Sequence, residues 1–236
     1  MLSPAEWDAI QLSLRIALSA VGWILIPGIA VAWLLARREF RGKALLDGVV
    51  HLPLVLPPVV IGYLLLVSMG RRGVIGQWLH EFAGMSLPFT WQGAAVASGV
   101  MAFPLFVRAV RLSLEAVDPK LEAAAHTLGA SRWRIFLTVT LPLCVPGLVT
   151  GTMLAFARAL SEFGATITFA SNIPGETRTL PLALYSLIQT PGQEAAAARL
   201  CVISVIIAMI SLVASEWLSR NARRRMSERD GQEATP

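Results

Sequence analysis

The chain has 236 residues, 55% of them hydrophobic and only 15% charged, with a formal net charge of +5. Soluble domains carry about 25% charged residues, so this balance excludes an ordinary soluble enzyme or binding module. The excess of base needs no nucleic acid, because basic loops facing anionic lipid headgroups account for it.

Stretches of about 20 apolar residues match the hydrocarbon thickness of a bilayer, and five are present. The first covers 16–36, where Pro27-Gly28 is expected to interrupt the helix. Before it, the first fourteen residues hold Glu6 and Asp8 and no base, the wrong sign for a secretory leader, so no cleavage is expected. The second covers 48–67 and contains Pro53, Pro57 and Pro58. Broken helices are tolerated where neighbours or a cavity satisfy the freed backbone groups, so this span reads either as path-lining or as a packing kink. The third covers 89–107, the fourth about 146–170, and the fifth 195–215. The runs are continuous and too long for barrel strands, which argues for helices with their backbone bonded internally. Two short apolar runs follow Phe163, around Pro174, Gly175 and Pro181; the second is expected at the outer face. The tail, 219–236, is basic and reads as a disordered cytoplasmic end from Asn221.

Between the third and fourth spans lies a polar block. Asp118 is a good N-cap, and Pro119 suits the first helical turn, where its missing N–H costs nothing. Leu121, Ala124, Ala125 and Leu128 recur at i, i+3, i+4 and i+7 and so share one face. Gly129 is placed to end the helix in a left-handed conformation. The expected element is a short helix over 118–129. So brief a helix needs packing to persist, and small alanines let another surface come close. It packs either on a partner or on its own membrane domain and the headgroup layer.

Fourteen of the 20 Lys and Arg residues follow the first, third and fifth spans, and only Arg71, Arg72 and Arg178 lie in the opposite loops. Basic residues favour the cytoplasmic side. Five crossings satisfy the bias with the N-terminus outside and the C-terminus inside, which puts the polar block in the cytosol.

Arg158 and Glu162 fall inside the fourth span. A charge there costs about 3 kcal/mol on insertion scales, and residues at i and i+4 can neutralise one another. They read as a structural pair facing the bundle, as part of an anion's path or gate, or, if the span starts earlier, as groups at the outer interface. Arg199 is expected to snorkel to the headgroups. Cys144 and Cys201 lie far apart in apolar surroundings and read as small buried residues, with no metal or redox spacing. There is no G-x-x-x-x-G-K-[ST] phosphate loop: Gly42-Lys43 is followed by Ala44 and lacks the upstream glycine. His51, His80 and His126 are scattered, and no acid, base or nucleophile constellation accompanies them. The chain is not expected to be an enzyme.

The block from Glu122 to Pro142 resembles the signature loop of ABC-importer permeases, E-A-A-x(3)-G-x(9)-I-x-L-P. Aligned on Gly129, it puts Ala124 and Ala125 in the alanine slots, Val139 in the isoleucine slot, and Leu141-Pro142 at the end. The glutamate slot falls on Ala123, with Glu122 one residue earlier. One residue is about 100° around a helix, so Glu122 need not touch what the family's glutamate touches. His51–Pro58, Ser161–Thr166 and Asn172–Thr179 are similar to the molybdate-transporting branch in particular.

The resemblance implies an all-α membrane protein on the type I ABC importer permease plan, with five transmembrane helices in residues 1–218 and a cytoplasmic coupling helix. It implies a multi-pass protein of the bacterial inner membrane, paired with a second copy of itself. Its partners would be cytosolic ABC ATPase subunits, which hold ATP and Mg, and a periplasmic oxyanion-binding protein. This chain would bind no cofactor and no metal. Leu121, Glu122, Ala124, Ala125, Leu128, Gly129, Leu141 and Pro142 would couple it to the ATPase. Arg158, Glu162, Thr166, Pro57 and Pro58 are the candidates for the translocation path of an oxyanion. The cargo expected is molybdate, with sulfate or tungstate as alternatives. A self-contained, ion-driven secondary transporter is the rival of another class.

Overall fold

A computed structural model describes residues 3–233, and among them the regular elements are all helices. Helix α1 runs Pro4–Arg37. It begins well before residue 16 because Ser3 and Glu6 form a capping box at its start: the Glu6 N–H donates to Ser3 Oγ (3.3 Å), and the Ser3 N–H donates to Glu6 Oε2 (2.7 Å). Glu6 also receives both Nε and Nη2 of Arg199, at 3.1 and 2.6 Å. Arg199 therefore clasps the start of α1 instead of reaching for headgroups. Pro27 does not interrupt α1 either. Gly28 beside it packs closely on Phe106 of the fifth helix, while Pro27 itself faces outward.

Helices α2 (Lys43–Val55) and α3 (Pro58–Met69) cover the expected second span and are bent by 117° to one another. Pro53 lies within α2, and the break falls at Leu56-Pro57. Helix α4 (Val74–Ala83) follows. Helix α5 (Trp91–Glu115) is the central post, its start capped by Thr90, whose Oγ1 accepts from the Gly93 N–H at 3.1 Å. Phe106, Val107, Val110 and Leu114 of α5 pack with Ala17, Ala20, Ile24 and Leu35 of α1 in the main core. Trp23, the one tryptophan far from a span end, donates its indole N–H to the Ala95 carbonyl of α5 (3.3 Å).

After α5 the chain forms α6 (Pro119–Thr127), α7 (Arg132–Ile135), a π-helical turn (Phe136–Thr140), α8 (Leu141–Leu143) and α9 (Val145–Leu160). The stretch Arg132–Leu143 meets α9 at 67°. The fourth span is not one helix over 146–170. Helix α9 stops at Leu160, and α10 restarts at Gly164 and ends at Phe169. Helix α11 (Leu180–Ile188) packs beside the first part of α12 (Glu194–Glu233). Among the described residues, three helices are long and apolar enough to cross a membrane alone, or up to five spans result if each bent pair is one.

The most apolar window of α5 is 67% buried, that of α12 only 11%. Apolar side chains facing lipid carry no burial penalty, so α12 can stand at the rim. Cys201 is exposed there, while Cys144 is buried, so only one cysteine matches the expected burial. The backbone of α12 continues through the arginine-rich tail to Glu233. Ala, Arg, Met and Glu favour helix and fill most of 221–230, so in place of the expected irregular end the helix runs on through Gly231. Ala234–Pro236 lie outside the described residues.

Candidate functional site

Two places bring the sequence candidates together. The first is α6. Asp118 Oδ1 accepts from the Lys120 N–H (2.9 Å), and Pro119 occupies the first turn. Gly129 closes the helix at φ +84°, with the Ala130 N–H donating to the Ala125 carbonyl at 3.1 Å. That left-handed φ is open to glycine without a Cβ clash. No residue of α6 is buried. Leu121 is 49% exposed and Leu128, at the cap, 88%.

The inward side of α6 carries Pro119, Glu122, Ala123 and His126, which line a cavity shared with α1, α7 and the π turn. At 100° per residue this set lies opposite Leu121, Ala124, Ala125 and Leu128. The apolar face therefore points away from the chain's own scaffold. Glu122 does not belong to that face. Its Oε1 accepts from Arg37 Nη2 (2.9 Å) and from Thr140 Oγ1 (2.8 Å). Arg37 Nη2 also donates to the Val117 carbonyl (3.4 Å). The carboxylate thus ties α6 to the last turn of α1 and to the π turn. Leu141 and Pro142 form α8 directly after Thr140, so they belong to the segment that holds α6. Arg37 and Thr140 were missed as anchors by sequence reasoning. Arg37 stands 85 positions from Glu122, and no local pattern marks the pair.

The second place is where two broken spans cross. Pro57 caps α3 and Pro58 is its first residue. Glu162 stands in the gap before α10, its side chain 1% exposed. Its Oε1 accepts from the Ala165 N–H (2.7 Å) and so caps α10. Its other oxygen pairs with Arg158 Nη1 at 2.5 Å, and the Arg158 side chain keeps 24% of its exposure. The i, i+4 pair is realised and self-satisfied, and both groups sit at a break inside the span. Thr166, one turn on, is fully buried, and its hydroxyl has no hydrogen-bond partner. Helix α3 lies against α10 closely enough that a Cβ on Gly62 would fall 2.6 Å from the Ala165 carbonyl oxygen. A Cβ on Gly164 would fall 2.8 Å from Pro58. Pro58 therefore lies against the start of α10, beside the break that holds Glu162, and Arg158 and Thr166 flank that break one turn to either side.

The comparisons with known proteins agree with this geometry. The family model described as "Binding-protein-dependent transport system inner membrane component" matches residues 28–227. The molybdenum transport system permease protein ModB of Escherichia coli K12 is 64% identical, over 95% of this chain and 98% of its own. ModB of Haemophilus influenzae is 60% identical, over 94% and 97%. Among solved structures, a bacterial ABC transporter that imports alginate has the same fold, with a TM-score of 0.74 at 16% identity, over 93% of this chain and 80% of that one. The outward-facing α6, the broken spans and the match across most of the sequence lead to one assignment: the chain belongs to the family of binding-protein-dependent inner-membrane transport components, the permease subunits of ABC importers.

Proposed function

We propose that this chain is the membrane subunit of an ATP-driven importer that passes molybdate into the cytoplasm by alternating access. The observation that carries the reading is α6, a capped helix whose apolar face turns away from its own scaffold. A separate ATPase surface seats on Leu121, Ala124, Ala125 and Leu128. ATP and Mg²⁺ react on that partner, and this chain binds no cofactor. Glu122 and Arg37 pass the motion of α6 to α1, and Thr140 passes it to the π turn. A second copy of the chain completes the pathway, and a periplasmic binding protein delivers the oxyanion to the outer face. The N-terminus is periplasmic and the C-terminus cytoplasmic, following the basic bias of the loops. Residues 1–218 form the transport unit.

The cargo follows from the relatives, both named for molybdenum transport and at least 60% identical. The junction of α3 with α10 serves as part of the path or its gate. Arg158 is its partly exposed cation, and Glu162 holds that cation in place. ATP and cargo must each favour one of two states for such coupling to work.

The test is uptake in proteoliposomes containing this chain and its ATPase, with loaded binding protein outside and ATP inside. Labelled molybdate should accumulate only with all three present. Competition by sulfate at equal concentration would move the cargo to sulfate, and tungstate is tested the same way. Accumulation without ATPase would replace the reading with a self-contained, ion-driven transporter.

A further inference from the structure

Behind α6 lies a cavity of about 440 Å³, bounded by Trp33, Arg37 and Arg38 at the end of α1, by the inward side of α6, and by Arg132 and Phe136. Its charges are unbalanced. Arg37, Arg38 and Arg132 line it with His126, against one acid, Glu122. Glu122 is already engaged by Arg37. Among the described residues, Arg38 and Arg132 have no acidic partner. Arg38 instead lies over the Trp33 ring, 5.6 Å from its centre.

The wall is aromatic. Phe136 stands edge-on to both Trp33 and Trp133, with ring centres 6.4 and 6.0 Å apart. Trp133 is exposed. Tryptophan at a membrane–water boundary sits at headgroup level, and guanidinium groups match phosphate oxygens in a fork geometry. Basic pockets between helices on the cytoplasmic side suit phosphate headgroups.

We propose that this cavity is a binding site for a phosphate group, taken from an anionic phospholipid at the cytoplasmic leaflet. The proposal rests on the orientation given above but not on the identity of the cargo. Arg38 and Arg132 hold the phosphate from the two sides of the opening. Trp33 and Phe136 line the site where the glycerol and first acyl carbons leave it. A bound headgroup bridges α1 to α7 beside the Glu122–Arg37 tether, and so stiffens the seat of α6.

The test uses the permease–ATPase complex in nanodiscs of equal phosphatidylglycerol and phosphatidylcholine, with native mass spectrometry of co-released lipid. The parent complex should retain phosphatidylglycerol, and Arg38→Gln with Arg132→Gln should reduce retention roughly tenfold. The Arg38→Lys, Arg132→Lys pair should restore part of it, since the charge returns without the guanidinium fork, and this separates lost charge from lost folding. Arg41→Gln, a cation outside the cavity, should leave retention unchanged. A second arm measures labelled inorganic phosphate on the complex in pure phosphatidylcholine. Binding there that is lost in the Gln pair, without phosphatidylglycerol retention, would assign the same site to a free phosphate ion. Equal lipid retention in parent and Gln pair, with no phosphate bound, overturns the proposal.

Discussion

Helix α6 and the α3–α10 junction are built on opposite principles. Helix α6 has no buried residue and shows its apolar side chains to whatever lies outside. The junction buries its polar ones: the Glu162 carboxylate and the Thr166 hydroxyl are all but sealed from solvent. A surface meant for another protein leaves its hydrophobic contacts unmade. A membrane interior must instead satisfy each charge at home. Glu122 and Glu162 make the contrast specific. Both are acids paired with arginine, but one fastens an exposed helix to the scaffold and the other caps a helix inside it.

The sharpest way to break the contrast is Glu162→Ala. It strips Arg158 of its partner and α10 of its cap, and the loss should be about 3 kcal/mol. Thermal unfolding of the purified complex measures it; an unchanged midpoint would mean that the pair contributes nothing to the fold. Arg158→Gln keeps the Glu162–Ala165 bond but leaves a buried carboxylate without its cation, so its uptake is read per folded, inserted complex. Uptake should fall well below the parent in properly inserted protein, and normal uptake would remove Arg158 from the path. Gly62→Val tests the close approach of α3 to α10. Overpacking of this kind costs about 1–3 kcal/mol, and uptake should fall with it, read as transport per assembled complex.

On the outward face, Leu121→Asp with Leu128→Asp should leave the unfolding midpoint of the isolated permease within about 0.5 kcal/mol of the parent. The same pair should abolish co-purification of the ATPase. A complex that still assembles and transports would show that the partner binds elsewhere. The smallest effect on transport is expected from Glu122→Gln, which keeps the shape but removes the charge. Stability should drop by about 1 kcal/mol, and ATP hydrolysis should respond less to loaded binding protein.

The two regions also differ in how far their sequences disclose them. Helix α6 could be read from local chemistry alone. Asp118, Pro119 and Gly129 are start and stop signals within twelve positions, and the leucine and alanine spacing defines its face. The inward turn of Glu122 was half legible, since its offset from the signature slot already implied a different direction. What it turns toward was not, because Arg37 and Thr140 arrive from other parts of the chain. At the junction the i, i+4 pair of Arg158 and Glu162 was visible, but the gap after Leu160 was not. An apolar run hides a helix break when the capping acid looks like a stray charge. The start of α1 escaped for the same reason: Ser3 and Glu6 cap it outside the apolar stretch that defines the span. The meeting of Gly62 with Ala165 is a long-range event with no periodic signal.

Helix α1 is fastened at both ends, to Arg199 through Glu6 and to α6 through Arg37. A rod gripped this way ties α6 to α12 across the whole length of α1. In the orientation proposed above, a twist imposed on α6 would reach the second turn of α12 through the Arg37–Glu122 and Glu6–Arg199 clasps. Drift in the rod's lipid-facing residues should then be harmless so long as its rigidity survives, whereas loss of either clasp would disconnect the two faces.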